Sequence, residues 1–575
     1  MLRQGHRFGS LWLLVALVAW LGGACTPASP AATAPAGRTP PVEVPHIRAV
    51  EADRLEVPRY EKLELAVTLE ASYDNPYDVR QVDLTAVFGD PGGHQWSVPG
   101  FWDGEKTWRV RFTPSVEGAW RYSLQVRDRR GPSAPWTGEF TCLPSAHHGW
   151  LQVGNWVNPA YSPRYLAYHD GAPFYGVGHA DAINLMSYGF DAEKGFSLFN
   201  QMAEYGENML VYWPIYSNPF FATRYDHYSV PDLKVIDMIV EDAARKGIFL
   251  VFTIWDHGML RDKTHAWGNG LWETQNGFRE LGSLESFFTG VEAWAWQEAL
   301  YRYIIARWGY SPAIGQWLTV SEIEGTNAGP HTDEWHQRVN DYFVRHDPFR
   351  HPTTASMAGD AWWPAGYQVM DVTQMHSYNS QNDPAGTGPL IADWTHKLWQ
   401  AQAKPNFIGE FGTTTQRNQP ELLHNGIWAA LAAGAAATPM DWNDNGPWGR
   451  MTDELGAHLG YLAKFVADMP LVYLNPRPLT LTTSGQGLRA WGLGGADWGF
   501  FWVQAVAPAG AAVEQVSGAT VAVEGLSPGT YAVRPYDTWR GLYLAESQAA
   551  VENGRLIIAL PAFERDLAVK MERKS

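Results

Sequence analysis

Cysteine is nearly missing from this chain: Cys25 and Cys142 are the two among 575 residues. That excludes a disulfide framework and a zinc site built from clustered thiolates. Charge is sparse as well, at 18% of residues, and it leans acidic, for a net charge of −17. No basic block follows the first few residues, so the phosphate neutralisation needed for nucleic-acid binding has no source. Several motifs are lacking. There is no glycine-rich dinucleotide or P-loop fingerprint, no His-Glu-x-x-His helix, no acidic calcium loop and no Gly-x-Ser-x-Gly elbow. No cofactor, no metal site and no nucleic-acid partner are therefore expected. The apolar run at residues 11–21 is too short to span a bilayer stably, and no other stretch is long and apolar enough to try.

Aromatics, by contrast, are plentiful, with 29 Trp, 25 Tyr and 24 Phe. The wide indole face suits the C–H face of a sugar ring, and it equally suits a large aromatic core. With a neutral substrate favoured by the acidic charge, carbohydrate is the expected partner. The N-terminus, with Arg3, His6 and Arg7 ahead of the apolar run, reads as an export signal over residues 1–25. Its end, Leu21-Gly22-Gly23-Ala24-Cys25, resembles the lipobox of bacterial lipoproteins, with Gly22 where Leu is usual. The resemblance implies an exported protein lipid-anchored through Cys25 at the cell surface or outer membrane, or otherwise secreted. Residues 26–45, rich in Pro, Ala and Thr, read as an extended tether.

Three folded segments follow. Residues 46–145 alternate with period two, as in Leu63-Glu64-Leu65-Ala66-Val67 and Trp108-Arg109-Val110-Arg111-Phe112. Turn signals at Asp74-Asn75-Pro76 and Pro91-Gly92-Gly93 separate the runs, and the spacing predicts a β-sandwich. Residues 146–470 switch to short buried strands alternating with helices, the pattern of an α/β fold whose length fits a (β/α)8 TIM barrel. Residues 471–575 return to short strands, among them Trp498-Gly499-Phe500-Phe501-Trp502-Val503, and predict a second sandwich.

In a barrel, catalytic groups lie where strands end. Two carboxylates occupy such places. One apolar run, Ile314 to Val320, leads into Ser321-Glu322-Ile323-Glu324-Gly325. The two acids there are two apart and in extended chain point the same way. The other, Asn406-Phe407-Ile408-Gly409-Glu410-Phe411-Gly412, sets a lone Glu between glycines after an apolar strand. A charge there is costly unless paired or functional.

Together these segments resemble the retaining glycosidases of clan A, the barrels that include endoglucanases and mannanases. Trp317 to Glu324 is similar to that clan's strand-four motif, and Met375-His376-Ser377-Tyr378 to its strand-six His-x-Tyr. Trp442, after Thr438-Pro439-Met440-Asp441, resembles the strand-eight aromatic. Val98 to Gly104, with Phe112-Thr113-Pro114, resembles a small sandwich found ahead of bacterial glycosidase barrels. The resemblance spans roughly 165–445. It implies Glu322 as acid/base and Glu410 as nucleophile, with Ser321 replacing the usual Asn, His376 and Tyr378 beside the nucleophile, and Trp442 flooring the sugar site.

The expected chemistry is a double displacement on a β-linked oligo- or polysaccharide, with Glu410 ionised and Glu322 protonated. Strand ends two and three would add contacts from Trp213, Trp255, Asp256 and His257. Trp267, Trp272, Trp362, Trp363 and Trp448 would extend a cleft, and Glu324 is a reserve acid. The alternatives are a non-catalytic carbohydrate-binding protein on a degenerate barrel, and a transglycosylase using the same carboxylates.

Overall fold

A computed structural model describes residues 44–180, 185–268, 270–378, 383–412, 419–442, 451–506 and 515–574. The export signal, most of the tether and Trp448 lie outside the described residues. Among those described, no helix is long and apolar enough to cross a membrane.

The N-terminal strands form two sheets around one core. One runs Ile47–Ala52, Leu63–Leu69, Thr107–Phe112, Phe101–Trp102; the other Glu56–Pro58, Trp136–Leu143, Gly118–Asp128, Val82–Gly89, Gln95–Pro99. The strict alternation read in the sequence is the cause. Leu63, Leu65 and Val67 face Leu84, Ala86, Phe88 and Trp120, all buried, while the residues between them face outward.

Between residues 176 and 442 the main strands pair in parallel. Gly178–His179 pairs with Met209–Tyr212, which pairs with Phe249–Asp256, then Ile314–Ser321, then Thr353–Thr354. Asp371 and Val372 donate backbone N–H groups to Thr353, and Thr373–Ser377 pairs with Asn406–Phe411. Bridges Phe411 to Asp441, Ala180 to Trp442 and Gly176 to Ala437 carry the pairing back to where it began. Nearly every residue of these strands is buried, as a parallel sheet covered on both faces demands. Helices intervene between strands. Val230–Lys246 shows why: Pro231 and Asp232 suit its first turn, Arg245 and Lys246 its last, and Gly247 ends it in the left-handed conformation at φ 66°.

The C-terminal strands form a ten-stranded antiparallel sheet between Arg477–Pro478 and Thr480–Thr483 at its edges. It meets the helix Pro420–Ala433 through Asp566. That buried carboxylate accepts from His424 Nε2 at 3.0 Å, Trp502 Nε1 at 2.9 Å and Trp539 Nε1 at 2.6 Å.

A buried ionic knot ties the N-terminal sheets to the parallel layer. The Asp237 carboxylate accepts from Arg111 Nη1 at 3.0 Å, Arg307 Nη2 at 2.6 Å and Trp308 Nε1 at 2.9 Å. Arg111 comes from the strand Thr107–Phe112, Asp237 and Arg307 from two helices. The two guanidiniums outweigh the penalty of burial and hold Asp237 down at about 2.

Candidate active site

The strand Ile314–Ser321 ends and Glu322 turns the chain, at φ 55° and ψ 59°, into the 3-10 turn Ile323–Gly325. A non-glycine residue in the left-handed region is strained by about 1–2 kcal/mol. Its backbone N–H is held by Ser356 Oγ at 3.0 Å. This turn separates the two acids that an extended chain would have aligned. Glu324 Oε1 accepts from the Ala358 N–H at 2.5 Å, and burial pushes its carboxyl up to about 7.

Glu410 sits inside the strand Asn406–Phe411. The flanking glycines have separate reasons. A Cβ on Gly409 would lie 1.7 Å from Gln374 Oε1 on the adjoining strand, and Gly412 turns at φ 125°. The adjoining strand also carries His376, and Tyr378 follows it.

Four residues from three strand ends therefore meet. His376 Nδ1 lies 2.7 Å from Glu322 Oε1 and 3.3 Å from Glu410 Oε2. Tyr378 Oη donates to Glu410 Oε2 at 2.6 Å. Glu322, His376 and Glu410 offer ligand atoms all within 4.8 Å of one another. These three could bracket a cation, but His376 Nδ1 already bridges the two carboxylates.

The electrostatics of the pair are set by burial and by His376. Burial alone would raise Glu322, but the hydrogen bond and charge of His376, aided by His257 and Arg261, bring it below its ordinary value. Burial and the Glu322 charge push Glu410 up to about 8, although His376 and Tyr378 oppose this. His376 would be depressed by burial; Glu410 and Glu322 raise it instead. Burial and the two bonds of His376 together favour charge on Glu322 and a proton on Glu410. The cause is His376, which bonds Glu322 more closely.

Around this centre, His257 Nε2 lies 3.4 Å from Glu322 Oε2. Asp256 Oδ1 caps the following turn by accepting from the Gly258 N–H at 2.7 Å. Ser321 is buried at its strand end, in register with Asp256. Trp213 is buried, its ring edge-on to the half-buried Trp442 at 4.9 Å. Trp255 is a correction: it is fully buried among Phe221, Phe278 and Phe287, and its indole N–H donates to Tyr301 Oη at 2.8 Å. It packs the core and touches no cleft. Trp272 and Trp363 are buried likewise, whereas Trp267 is 45% exposed and stands near His257. Arg261, which sequence reasoning passed over, bonds His257 Nδ1 at 2.7 Å.

Known proteins can now be set beside this geometry. A family model described as a domain of unknown function (DUF5060) matches residues 56–127. No curated protein matches the sequence. Among solved structures, a Bacteroides vulgatus protein described as a candidate glycoside hydrolase is similar at 16% identity and TM-score 0.64, over 91% of this chain and 100% of that one. The chain shares the fold of that protein. A second structure, described simply as a glycoside hydrolase, aligns at 15% identity and TM-score 0.50, over 74% of this chain and 97% of that one.

Proposed function

We propose that this protein is a retaining glycoside hydrolase acting on β-linked oligo- or polysaccharides, with Glu410 as nucleophile and Glu322 as acid/base. The observation that carries the reading is the buried Glu322–His376–Glu410 group, its ligand atoms within 4.8 Å of one another. Retaining enzymes set their carboxyls about 5–5.5 Å apart, whereas inverting ones leave about 6.5–9.5 Å for a water. The unbroken round of parallel pairings supports a (β/α)8 barrel, and the flanking sheets support a β-sandwich on either side. Export with a lipid anchor at Cys25 belongs to the same proposal.

The proton that the first step requires is already in the site. Passing the Nδ1 proton of His376 to Glu322 Oε1, while the Glu410 proton replaces it on Nδ1, turns the resting arrangement into the reactive one. The Glu410 carboxylate then attacks the anomeric carbon as Glu322 protonates the departing glycosidic oxygen. In the second step Glu322 takes a proton from water, the hydroxide attacks the anomeric carbon, and Glu410 leaves as carboxylate. Trp442, half-buried and backed edge-on by the buried Trp213, offers an aromatic face for the sugar ring.

The test is product release from a panel of β-mannan, β-glucan, xylan and pectic polysaccharides, with Glu322→Gln and Glu410→Gln alongside. Both variants are expected to lose nearly all activity, and the first-formed anomer to be β. Undiminished release in both variants removes the mechanism, and an α anomer formed first removes retention.

A further inference from the structure

Arg261 is 9% exposed and lies beside the centre without touching either carboxylate. Its Nη1 donates to His257 Nδ1 at 2.7 Å and to the Gly325 carbonyl at 3.1 Å. Its guanidinium also faces the Trp267 ring at 5.7 Å. A guanidinium carries donors only. The nitrogen it meets must therefore present a lone pair, and the remaining proton of a neutral imidazole must sit on Nε2. That nitrogen faces Glu322 Oε2 at 3.4 Å, with Asp256 Oδ2 next at 3.9 Å.

We infer that Arg261 is a positioning residue that locks His257 in its Nε2–H form, so that this N–H faces Glu322 Oε2 and the transferable proton is confined to Oε1. The inference rests on the reading of Glu322 as acid/base. It explains an otherwise unassigned cation behind the site. The two oxygens of Glu322 are divided between two histidines. His376 serves Oε1, where a proton can come and go, and His257 occupies Oε2. The carboxylate is thereby fixed in rotation, and a protonated Glu322 has one place to carry its hydrogen.

The packing is built around this contact. A Cβ on Gly325 would lie 2.5 Å from Trp267 Cζ3 and 3.1 Å from His257 Cβ. Only glycine there lets the turn close on the His257 stem while Arg261 reaches the Gly325 carbonyl. The groups around Glu322 include His376 and His257 at its oxygens, with Arg261, Tyr378, Glu324 and Glu410 near them.

The test uses the full chain labelled with 15N-histidine, and Arg261→Met and Arg261→Lys variants, with His257→Gln to assign the signal. Long-range 1H–15N correlation reads the tautomer without any substrate. The expected result is a single Nε2–H form of His257 in the wild type, a mixture containing Nδ1–H in Arg261→Met, and the wild-type form restored in Arg261→Lys. On whichever polysaccharide the panel identifies, Arg261→Met should lower kcat by about tenfold with little change in KM, because the loss is of orientation and not of sugar binding. Arg261→Lys should recover most of it. A wild-type His257 carrying its proton on Nδ1 overturns the inference. So does an Arg261→Met variant with reduced melting temperature but an unchanged tautomer, which would make Arg261 a packing residue. Failure of the glycosidase reading shows itself separately, as activity surviving in Glu322→Gln.

Discussion

Replacing Tyr378 with phenylalanine removes one oxygen from the centre and little else. The lost contact is the 2.6 Å bond to Glu410 Oε2, which favours the ionised carboxylate. A hydrogen bond to a charged group is worth about 1.5–3 kcal/mol, and 1.36 kcal/mol corresponds to about one pKa unit. Glu410, already at about 8, therefore moves further up. Between the lowered pKa of Glu322 and the raised pKa of Glu410 the pair holds a single proton, and the two limbs of a pH profile belong to the pair. The reactive arrangement, with the proton on Glu322 and the charge on Glu410, is the minor one in the empty site. Phenylalanine makes it rarer by a factor of about 10 to 150, and kcat/KM across the plateau falls by the same factor. The alkaline limb moves upward by about one to two pH units. Initial-rate pH profiles, with melting curves to confirm folding, measure both. An undiminished plateau, or an alkaline limb displaced to lower pH, refutes the reasoning.

Two further outcomes concern stability. Asp237→Asn leaves Arg111 and Arg307 buried with too little negative charge, and removing one partner of a buried ion pair costs about 3–5 kcal/mol. Denaturant unfolding should show a loss of that order, and an unchanged midpoint would show that the knot contributes little to the fold. Acidification should also destabilise the fold through His336 and His458, each depressed by burial from 6.5 to about 3. The unfolded chain binds protons on these rings that the folded one refuses, so stability is full above 6.5 and falls as the pH drops toward 3. At one pH unit below 6.5 each costs about 1.4 kcal/mol. Replacing both with glutamine should flatten that slope in denaturant titrations at a series of pH values.

The carboxylates were legible because each stands at the end of a mostly apolar strand, and a charge at such a point has little to offer a core. His376 lies on the strand beside Glu410 and Tyr378 just past its end, so their approach to Glu410 follows from parallel pairing. What the sequence concealed has a geometric cause. In a strand buried on both faces, alternation vanishes, and nothing distinguishes the residue aimed at the cleft from its neighbour aimed at the helices. Trp255 and His257 illustrate this: two apart near one strand end, one fills the core and the other faces Glu322 after a turn begins. A second turn, entered through Glu322, takes Glu324 out of line with it. Arg261 gave no signal, because its contacts with His257 and Gly325 depend on how a loop folds back. The protonation order was illegible for a further reason. It depends on one nitrogen being nearer to Glu322 than to Glu410 by a fraction of an ångström.

That order has a consequence for the whole molecule. Glu410 ionises at about 8 when folded and at 4.5 ordinarily. A carboxyl whose folded pKa is raised contributes nothing unfavourable below 4.5, where both states are protonated. It costs stability increasingly as the pH rises to 8, because the unfolded chain gains by releasing the proton. At pH 7 the span from 4.5 amounts to about 3 kcal/mol, at about 1.36 kcal/mol per unit. Glutamine keeps the shape, keeps an oxygen to accept from Tyr378, and cannot ionise. Glu410→Gln should therefore be inactive yet more stable than the wild type, by about 3 kcal/mol at pH 7 and by nothing at pH 4. Denaturant midpoints of the two proteins, taken from pH 4 to 9, should separate as the pH rises and run parallel above 8. Curves that stay parallel throughout would mean that Glu410 is charged in the resting site, and the shared proton on which both the first step and the Tyr378 argument depend would have to be sought elsewhere.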